Sequence, residues 1–394
     1  MTVQNSEHTM ESTLPEIMST KLSIIRILAT WFVMTGHGFV FFQISVFKNQ
    51  DYFCYIQNIG VVLLLLLAGF FLAYSLHRKM STGYRFRDYW VDRICRLKIP
   101  LVSASIIIIV VDYISRKNYP NVQSMNDSSF ATLIGNYLML QLYPSFGLRV
   151  PCFGSAAQLW TLSVEWWVFM AAGCYYLIVK SKRAENISYG NGLAGNDLKR
   201  GAGFKLILSI IMLSIIICSL FEYSRIGIVP NAPFTMLLGM SIFYMVPTLE
   251  GCNTTALKFL SFGSMMFAIL CGIVIKDAYD SRFVIATALT ILFILPTAET
   301  TVCKSDDNIS VIFKRLISVL SGYAYSLYLV HYSIFDLFHR KWITDGFTSG
   351  GGLFIYSITM SNVLAFLHYL IVEKNTSIIA RIIKGRIQLH MHLQ

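Results

Sequence analysis

Long apolar segments recur along this chain from residue 21 to residue 372, and most are long enough to cross a bilayer as a helix. Hydrophobic residues make up 55% of the 394 residues and charged residues only 13%, a composition unlike that of a soluble protein. Backbone polar groups inside a bilayer must be bonded within the protein, so such segments fold as helices. The sequence therefore predicts an all-α, polytopic transmembrane helical bundle.

Hydropathy predicts about ten spanning helices, of which the sixth and eighth are short. Their ranges are 21–47, 56–76, 99–115, 159–180, 203–221, 233–248, 258–276, 283–297, 313–338 and 352–372. A further apolar run, 131–143, is too short to span and is predicted to be interfacial or re-entrant. With ten spans and a cytoplasmic N-terminus, 23 Lys and Arg residues lie inside and 9 outside. An eleventh span at 131–143 changes these numbers to 15 and 17, so the positive-inside rule favours ten spans with both termini cytoplasmic.

The ends of the chain are predicted to be cytosolic tails. Residues 1–20 are polar and lack the features of a signal peptide, so we expect a disordered tail there, and residues 374–394 form a basic tail. Topology explains most of the formal charge of +11, and no basic stripe indicates nucleic-acid binding. The eight cysteines form no disulfide framework and no metal motif, and the sequence leaves open whether Cys54 and Cys152, both placed outside, pair.

Arg26 and His37 lie eleven residues apart in the first span, which places both on one helix face about 16 Å apart. Ionisable groups at membrane depth are costly and usually functional. Arg26 is predicted about one and a half turns inside the cytoplasmic end, where a snorkelling anchor is the alternative. His37 is a candidate base for a hydroxyl group, the alternative being a histidine bonded to a backbone carbonyl. Its neighbours Gly36 and Gly38 favour close approach of a helix or a substrate.

Two further motifs carry charge into the predicted membrane region. Arg93 and Arg96, three residues apart before the third span, project together on a helical turn. Such a pair suits phosphate or pyrophosphate, and an anchor for anionic lipid is the alternative. Glu165 lies about 7 Å deeper than the interfacial Trp160 by helical rise. An unpaired carboxylate is unfavourable at that depth, so Glu165 needs a partner. The candidates are a histidine, an arginine and a substrate hydroxyl.

Polar aromatic residues line one side of the ninth predicted span. Tyr325, Tyr328 and His331 recur every three residues, so two hydroxyls and an imidazole share a helix face. An aromatic stripe usually indicates packing, but the second intramembrane histidine favours a polar cavity. Asp336 and His339 follow near the outer end and are expected to face solvent.

Taken together, these motifs resemble the acyltransferase-3 family of integral membrane acyltransferases, with similarity from about Lys21 to Glu373. The matching segments occur in the family's order and are 26–37, 72–100, 160–165, 325–331 and 372–373. Two positions depart from the family pattern. Trp166 follows Glu165 where a second acidic residue is frequent, and Lys374 follows Glu373 where a proline is usual.

The resemblance implies a membrane O-acyltransferase of the cell membrane. The implied donor is cytosolic acyl-CoA, most often acetyl-CoA, and the implied acceptor is a hydroxyl of a cell-surface glycan such as O-antigen, capsule or exopolysaccharide. The residues that would hold the CoA phosphates are Arg26, Arg93 and Arg96. The residues expected to act in catalysis are His37, Arg26 and Glu165. The residues expected to line the substrate cavity are Tyr325, Tyr328 and His331.

Two other functional classes remain open from the sequence. A transporter or flippase of lipid-linked sugars would use intramembrane Arg, His and Glu residues as a proton relay. No inverted repeat or pair of broken helices supports that alternative. A membrane polysaccharide polymerase would not depend on acyl-CoA. No metal is predicted, and the oligomeric state is not predicted.

Overall fold

The computed structural model describes most of the chain as helices. The described ranges are 14–44, 53–80, 85–122, 127–141, 150–191, 231–297, 308–346 and 350–392, with the single positions 210, 213 and 217. Within them no strand forms beyond one bridge between Gln141 and Val150. The prediction of an all-α helical bundle is confirmed.

Twelve α-helices are described. They are α1 (Glu16–Phe41), α2 (Ile56–Met80), α3 (Phe86–Asn118), α4 (Phe130–Tyr137), α5 (Trp160–Asn191), α6 (Ala232–Met245), α7 (Thr254–Val274), α8 (Ser281–Ile294), α9 (Asn308–Gly322), α10 (Ala324–Asp345), α11 (Gly351–Ile371) and α12 (Thr376–His392). Short 3₁₀ turns precede α5, follow α6 and join α11 to α12.

Seven helical stretches of the described part are long and apolar enough to cross a membrane. They are Glu16–Phe41, Ile56–Lys79, Phe86–Asn118, Ala157–Val179, Ala232–Leu249, Thr254–Val274 and Gly351–Ile387. The eighth predicted span corresponds to the shorter apolar helix Ser281–Ile294. The fifth predicted span, 203–221, lies almost entirely outside the described residues. α4 has only 8 residues, so it is too short to span, as expected for the apolar run at 131–143.

The predicted ninth span, 313–338, is wrong as a single helix. It is divided at Tyr323, which has φ −94° and ψ 6° and separates α9 from α10. The apolar run is continuous there, so hydropathy alone does not reveal the break. The neighbouring Gly322 faces the hydroxyl of Tyr369, and a Cβ atom at this position would crowd it.

Helix boundaries also extend beyond several predicted spans. α1 begins at Glu16, before residue 21, and α3 begins at Phe86, before residue 99. Hydropathy marks the apolar part of a span, whereas a helix continues into charged turns at its end. Most of the predicted C-terminal tail is also helical. α12 packs on α3 through an apolar face that includes Ala380.

α2 packs most extensively against its neighbours α1 and α6. A Cβ atom on Gly69 of α2 would collide with the carbonyl oxygen of Met236, and one on Gly239 of α6 would collide with that of Leu66. The backbones of these two helices therefore touch, as small residues permit in membrane bundles.

The bundle has two distinct ends, and we call the one where α1 begins and α2 ends the basic end. Lys314 pairs there with Glu16 at 2.8 Å. Lys21 donates a hydrogen bond to the hydroxyl of Thr297 at 2.8 Å, just beyond the last turn of α8. The opposite end, where α1 ends and α2 begins, is called the far end.

Candidate active site

A cavity of about 490 Å³ lies in the half of the bundle nearer the basic end. The cavity is lined by residues of α1, α2, α3, α5, α9, α10, α11 and α12, together with the turn before α12. Six residues predicted from the sequence line this cavity: Arg26, Arg93, Arg96, Glu165, Tyr325 and Tyr328. The structure therefore brings together most of the predicted site.

Arg93 is held in place by polar and aromatic contacts. Its Nη2 atom donates a hydrogen bond to the Ser75 hydroxyl at 3.1 Å. Its guanidinium lies 4.6 Å from the centre of the Phe169 ring and 5.2 Å from that of Tyr89. Cation–π contacts of this kind are stronger away from water. Arg93 is only 6% exposed, so its position is fixed before any ligand enters.

Arg96 and Arg26 are less constrained. Arg96 is exposed within the cavity and makes no hydrogen bond or ion pair with any residue that the structure describes. Arg26 donates one long hydrogen bond, 3.4 Å, to the Ser321 hydroxyl, and its guanidinium lies over the Phe71 ring at 4.7 Å. Both guanidinium groups therefore retain donors for an anion.

Besides Asp92, which pairs with Lys79 of the lining at 2.6 Å, two carboxylates offset part of this positive charge. Glu373 accepts hydrogen bonds from the backbone N–H of Ser326 at 3.0 Å and from its hydroxyl at 2.5 Å. Glu165 lines the same cavity and has neither a hydrogen bond nor an ion pair in the described ranges. Of the partners predicted for Glu165, the structure places arginines in its cavity. Glu373 was not among the predicted site residues, although it closes the terminal motif of the family resemblance.

The two tyrosines tie α10 to its neighbours at the cavity wall. Tyr325 donates to the carbonyl of Leu97 at 3.1 Å. The Tyr328 hydroxyl donates to the carbonyl of Gln158 at 2.6 Å and therefore accepts the hydrogen bond of Thr161, also at 2.6 Å. Tyr328 also lies next to His331, a predicted cavity residue, because the two ring centres are 6.1 Å apart.

His37 and His331 contact each other outside the lining of the cavity. The Nδ1 atom of His37 lies 3.1 Å from the Nε2 atom of His331. His331 is only 1% exposed, whereas His37 is partly exposed. His37 lies about one turn before the end of α1, and Arg26 almost three turns after its beginning. The histidine pair is thus nearer the far end than the arginines are.

The glycines beside His37 permit close helix approach. A Cβ atom on Gly36 would collide with the backbone nitrogen of Gln57 in α2, and one on Gly38 with the ring of Phe354 in α11. Of the two predicted reasons for these glycines, the structure confirms helix packing.

The prediction that Asp336 faces solvent is wrong. Asp336 is 8% exposed and pairs with Arg340, one turn later in α10, at 2.7 Å. The attraction within the ion pair offsets part of the free-energy cost of burying both charges. The ring of His339 packs against those of Phe41 and Trp342, so it is also partly buried.

Cys54 and Cys152 are both free thiols in the structure. Each is buried outside the spanning helices, and burial raises the pKa of each thiol to about 12. Both groups are therefore protonated at neutral pH and poorly reactive. Among the residues that the structure describes, no group of three or more His, Cys, Asp or Glu side chains is suited to hold a metal ion.

The fold and the cavity define an integral membrane protein with an arginine-rich internal site. Comparison with protein families gives a match between residues 20–372 and Acyl_transf_3, an acyltransferase domain. The chain belongs to this family, which confirms the resemblance seen in the sequence, and it is accordingly a multi-pass membrane acyltransferase. Searches among curated proteins and among solved structures gave no match.

Proposed function

We propose that this protein is an O-acyltransferase that moves an acetyl group from acetyl-CoA to a hydroxyl of a cell-surface glycan. One observation carries the proposal. Three arginines share a cavity at the basic end, and a histidine pair lies beyond the tyrosine at its wall. From the basic end toward the far end, the bundle therefore contains first an anion-binding cavity and then a base.

The cavity suits the acyl donor because coenzyme A carries a pyrophosphate and a further phosphate. Planar guanidinium groups bind such oxyanions through paired hydrogen bonds. Arg96 has no protein partner among the described residues, and Arg93 is held by aromatic rings, so both can receive phosphate without breaking an ion pair. Glu165 and Glu373 compensate part of the positive charge of the three arginines.

The chemistry assigned to His37 is general base catalysis. His37 takes the proton of the acceptor hydroxyl as the oxygen attacks the thioester carbonyl carbon, which forms the new C–O bond. The C–S bond then breaks, and the proton passes to the leaving thiolate, giving CoA thiol and the acetyl ester. Glu165 balances the charge of the arginines during donor binding.

In the proposed orientation, the protein lies in the cell membrane with its basic end on the cytoplasmic side. The excess of Lys and Arg residues predicted for that side supports this orientation. Acetyl-CoA then enters from the cytosol, and the glycan hydroxyl approaches His37 from the far end.

The test is transfer of radiolabelled acetyl from acetyl-CoA to envelope glycan in membranes that carry the wild-type protein or its His37→Ala variant. We expect label in the glycan with wild type and a loss of about 10²- to 10⁴-fold with His37→Ala. His77→Ala is the matched control, because His77 is exposed at the end of α2. Full transfer by a stably produced His37→Ala protein contradicts the role of His37. Absence of transfer by wild type to any envelope fraction contradicts the proposal and favours the transporter alternative.

A further inference from the structure

The contact between His37 and His331 joins two helices and orders both rings. The ring centres are 5.3 Å apart and the ring planes differ by 23°, with the Nδ1 atom of His37 3.1 Å from the Nε2 atom of His331. The rings of Tyr332 and Phe335 pack edge-on against the pair. No carboxylate in the described part of the chain pairs with either imidazole. The pair is therefore held by packing and by its own hydrogen bonds.

The surroundings of His331 determine where the protons lie. Its Nδ1 atom is 3.0 Å from the carbonyl oxygens of both Leu327 and Tyr328. A carbonyl oxygen only accepts, so Nδ1 of His331 carries the proton. A second proton would put an unpaired charge on a side chain that is 1% exposed, which is unfavourable. Nε2 of His331 therefore holds a lone pair.

The position of the next proton follows from this lone pair. The short contact requires a proton between the two nitrogens, and only Nδ1 of His37 can supply it. A neutral His37 then has its own lone pair on Nε2, the nitrogen that does not face His331. That nitrogen is the one available to a substrate hydroxyl.

We infer that His331 is a positioning residue that fixes the tautomer and the ring orientation of His37 for acyl transfer. This inference rests on the proposed function, in which His37 is the base. In serine hydrolases a carboxylate performs the equivalent task on a catalytic histidine. Here the neutral imidazole of His331 accepts the Nδ1 proton of His37, so Nε2 of His37 is the basic atom. When Nε2 takes the proton of the acceptor hydroxyl, the positive charge develops next to the Nε2 lone pair of His331.

The variants that test this inference separate ring packing from hydrogen bonding. His331→Phe keeps an aromatic ring against Tyr332 and Phe335 but removes both nitrogens. His331→Gln keeps an oxygen acceptor close to the position of Nε2. We expect His331→Phe to lower kcat by about 100-fold with little change in the KM for acetyl-CoA, because the donor cavity is separate from the pair. We expect His331→Gln to recover at least part of this loss.

The pH profile distinguishes a positioning role from a structural one. Because His331 interacts with the base, its replacement should shift the acidic limb of the profile of kcat/KM, whereas a loss of active protein only lowers the profile. Wild-type kcat in His331→Phe, or lower kcat with an unshifted limb, overturns the inference. If His331→Phe does not fold, the same shift is measured with His331→Leu, which also removes the acceptor, and an unshifted limb again overturns the inference.

A double variant tests whether His331 acts only through His37. In a His37→Gln background, His331→Phe should cause no further loss of acetyl transfer to the glycan fraction. A further loss shows that His331 acts independently and contradicts the inference. An inactive His37→Gln protein with a fully active His331→Phe protein leaves the proposed function intact while the inference fails. An active His37→Gln protein instead contradicts the proposed function itself.

Discussion

Arg96 differs from its neighbour Arg93 in what holds its guanidinium group. Arg93 is fixed by a hydrogen bond to Ser75 and by the rings of Phe169 and Tyr89. Arg96 extends into the cavity without a hydrogen bond or ion pair to any described residue. Replacing Arg93 thus removes packing together with charge, whereas replacing Arg96 removes charge alone. Arg96 is therefore the better probe of donor binding.

We predict that Arg96→Gln raises the KM for acetyl-CoA without lowering the stability of the protein. A hydrogen bond to a charged group contributes about 1.5–3 kcal/mol. Loss of one such bond corresponds to a rise of about 10- to 150-fold. Initial rates at varied acetyl-CoA concentration measure the change, and thermal unfolding in detergent measures stability. Arg381→Gln is the control, since Arg381 is exposed on α12. An unchanged KM in Arg96→Gln contradicts the placement of CoA phosphates in this cavity.

At the scale of helices, packing of α2 against α6 depends on residues that lack side chains. Gly69 and Gly239 each face a carbonyl oxygen of the other helix, Met236 and Leu66 respectively. A backbone carbonyl cannot avoid a clash by a change of rotamer, as a flexible side chain can. An added methyl group must therefore push the helices apart. Gly263 of α7 is the opposite case, because its surroundings are open.

We predict that Gly69→Ala destabilises the bundle by about 1–3 kcal/mol, the usual cost of overpacking. Gly263→Ala, the matched control, should be neutral or stabilising by up to about 1 kcal/mol, since alanine favours the helix. Unfolding of the purified proteins by heat in the same detergent compares the two variants. Equal stability of both would show that α2 and α6 do not touch at Gly69.

Helices and site residues differ in how far local sequence specifies them. The apolar runs predict where most spans lie. The spacing of Arg93 and Arg96 predicts that they project together, and both line one cavity. Hydropathy does not predict the helix break at Tyr323, because the sequence around it is continuously apolar. The contact of His37 with His331 joins residues 294 positions apart, and no local pattern encodes such a pairing. Burial of Asp336 is missed for a different reason. Its ion pair with Arg340 is local, but the packing of α10 against other helices, which buries both residues, is not visible in the sequence.

Across the whole molecule, the N-terminal and C-terminal parts of the chain meet at the basic end. Arg26 and Glu373 line the same cavity, although one is near the beginning of α1 and the other follows α11. Lys384 of α12 also pairs with Asp92 of α3 at 2.5 Å. A membrane chain whose two ends meet on one side crosses an even number of times. The prediction of ten crossings likewise places both ends of the chain on one side.

Two exposed positions allow the orientation to be measured directly. Cys252 is an exposed thiol in the turn before α7, at the basic end, and Ser281 is exposed at the start of α8, at the far end. We predict that a membrane-impermeant maleimide labels a single-cysteine Ser281→Cys protein in cells whose plasma membrane is intact. A protein that keeps only Cys252 should react only after the membrane is opened, because the proposed orientation puts the basic end in the cytoplasm. The reverse pattern would invert the orientation, with the arginine cavity then facing away from cytosolic acetyl-CoA. Labelling of both from one side would contradict the placement of these residues at opposite ends of the bundle.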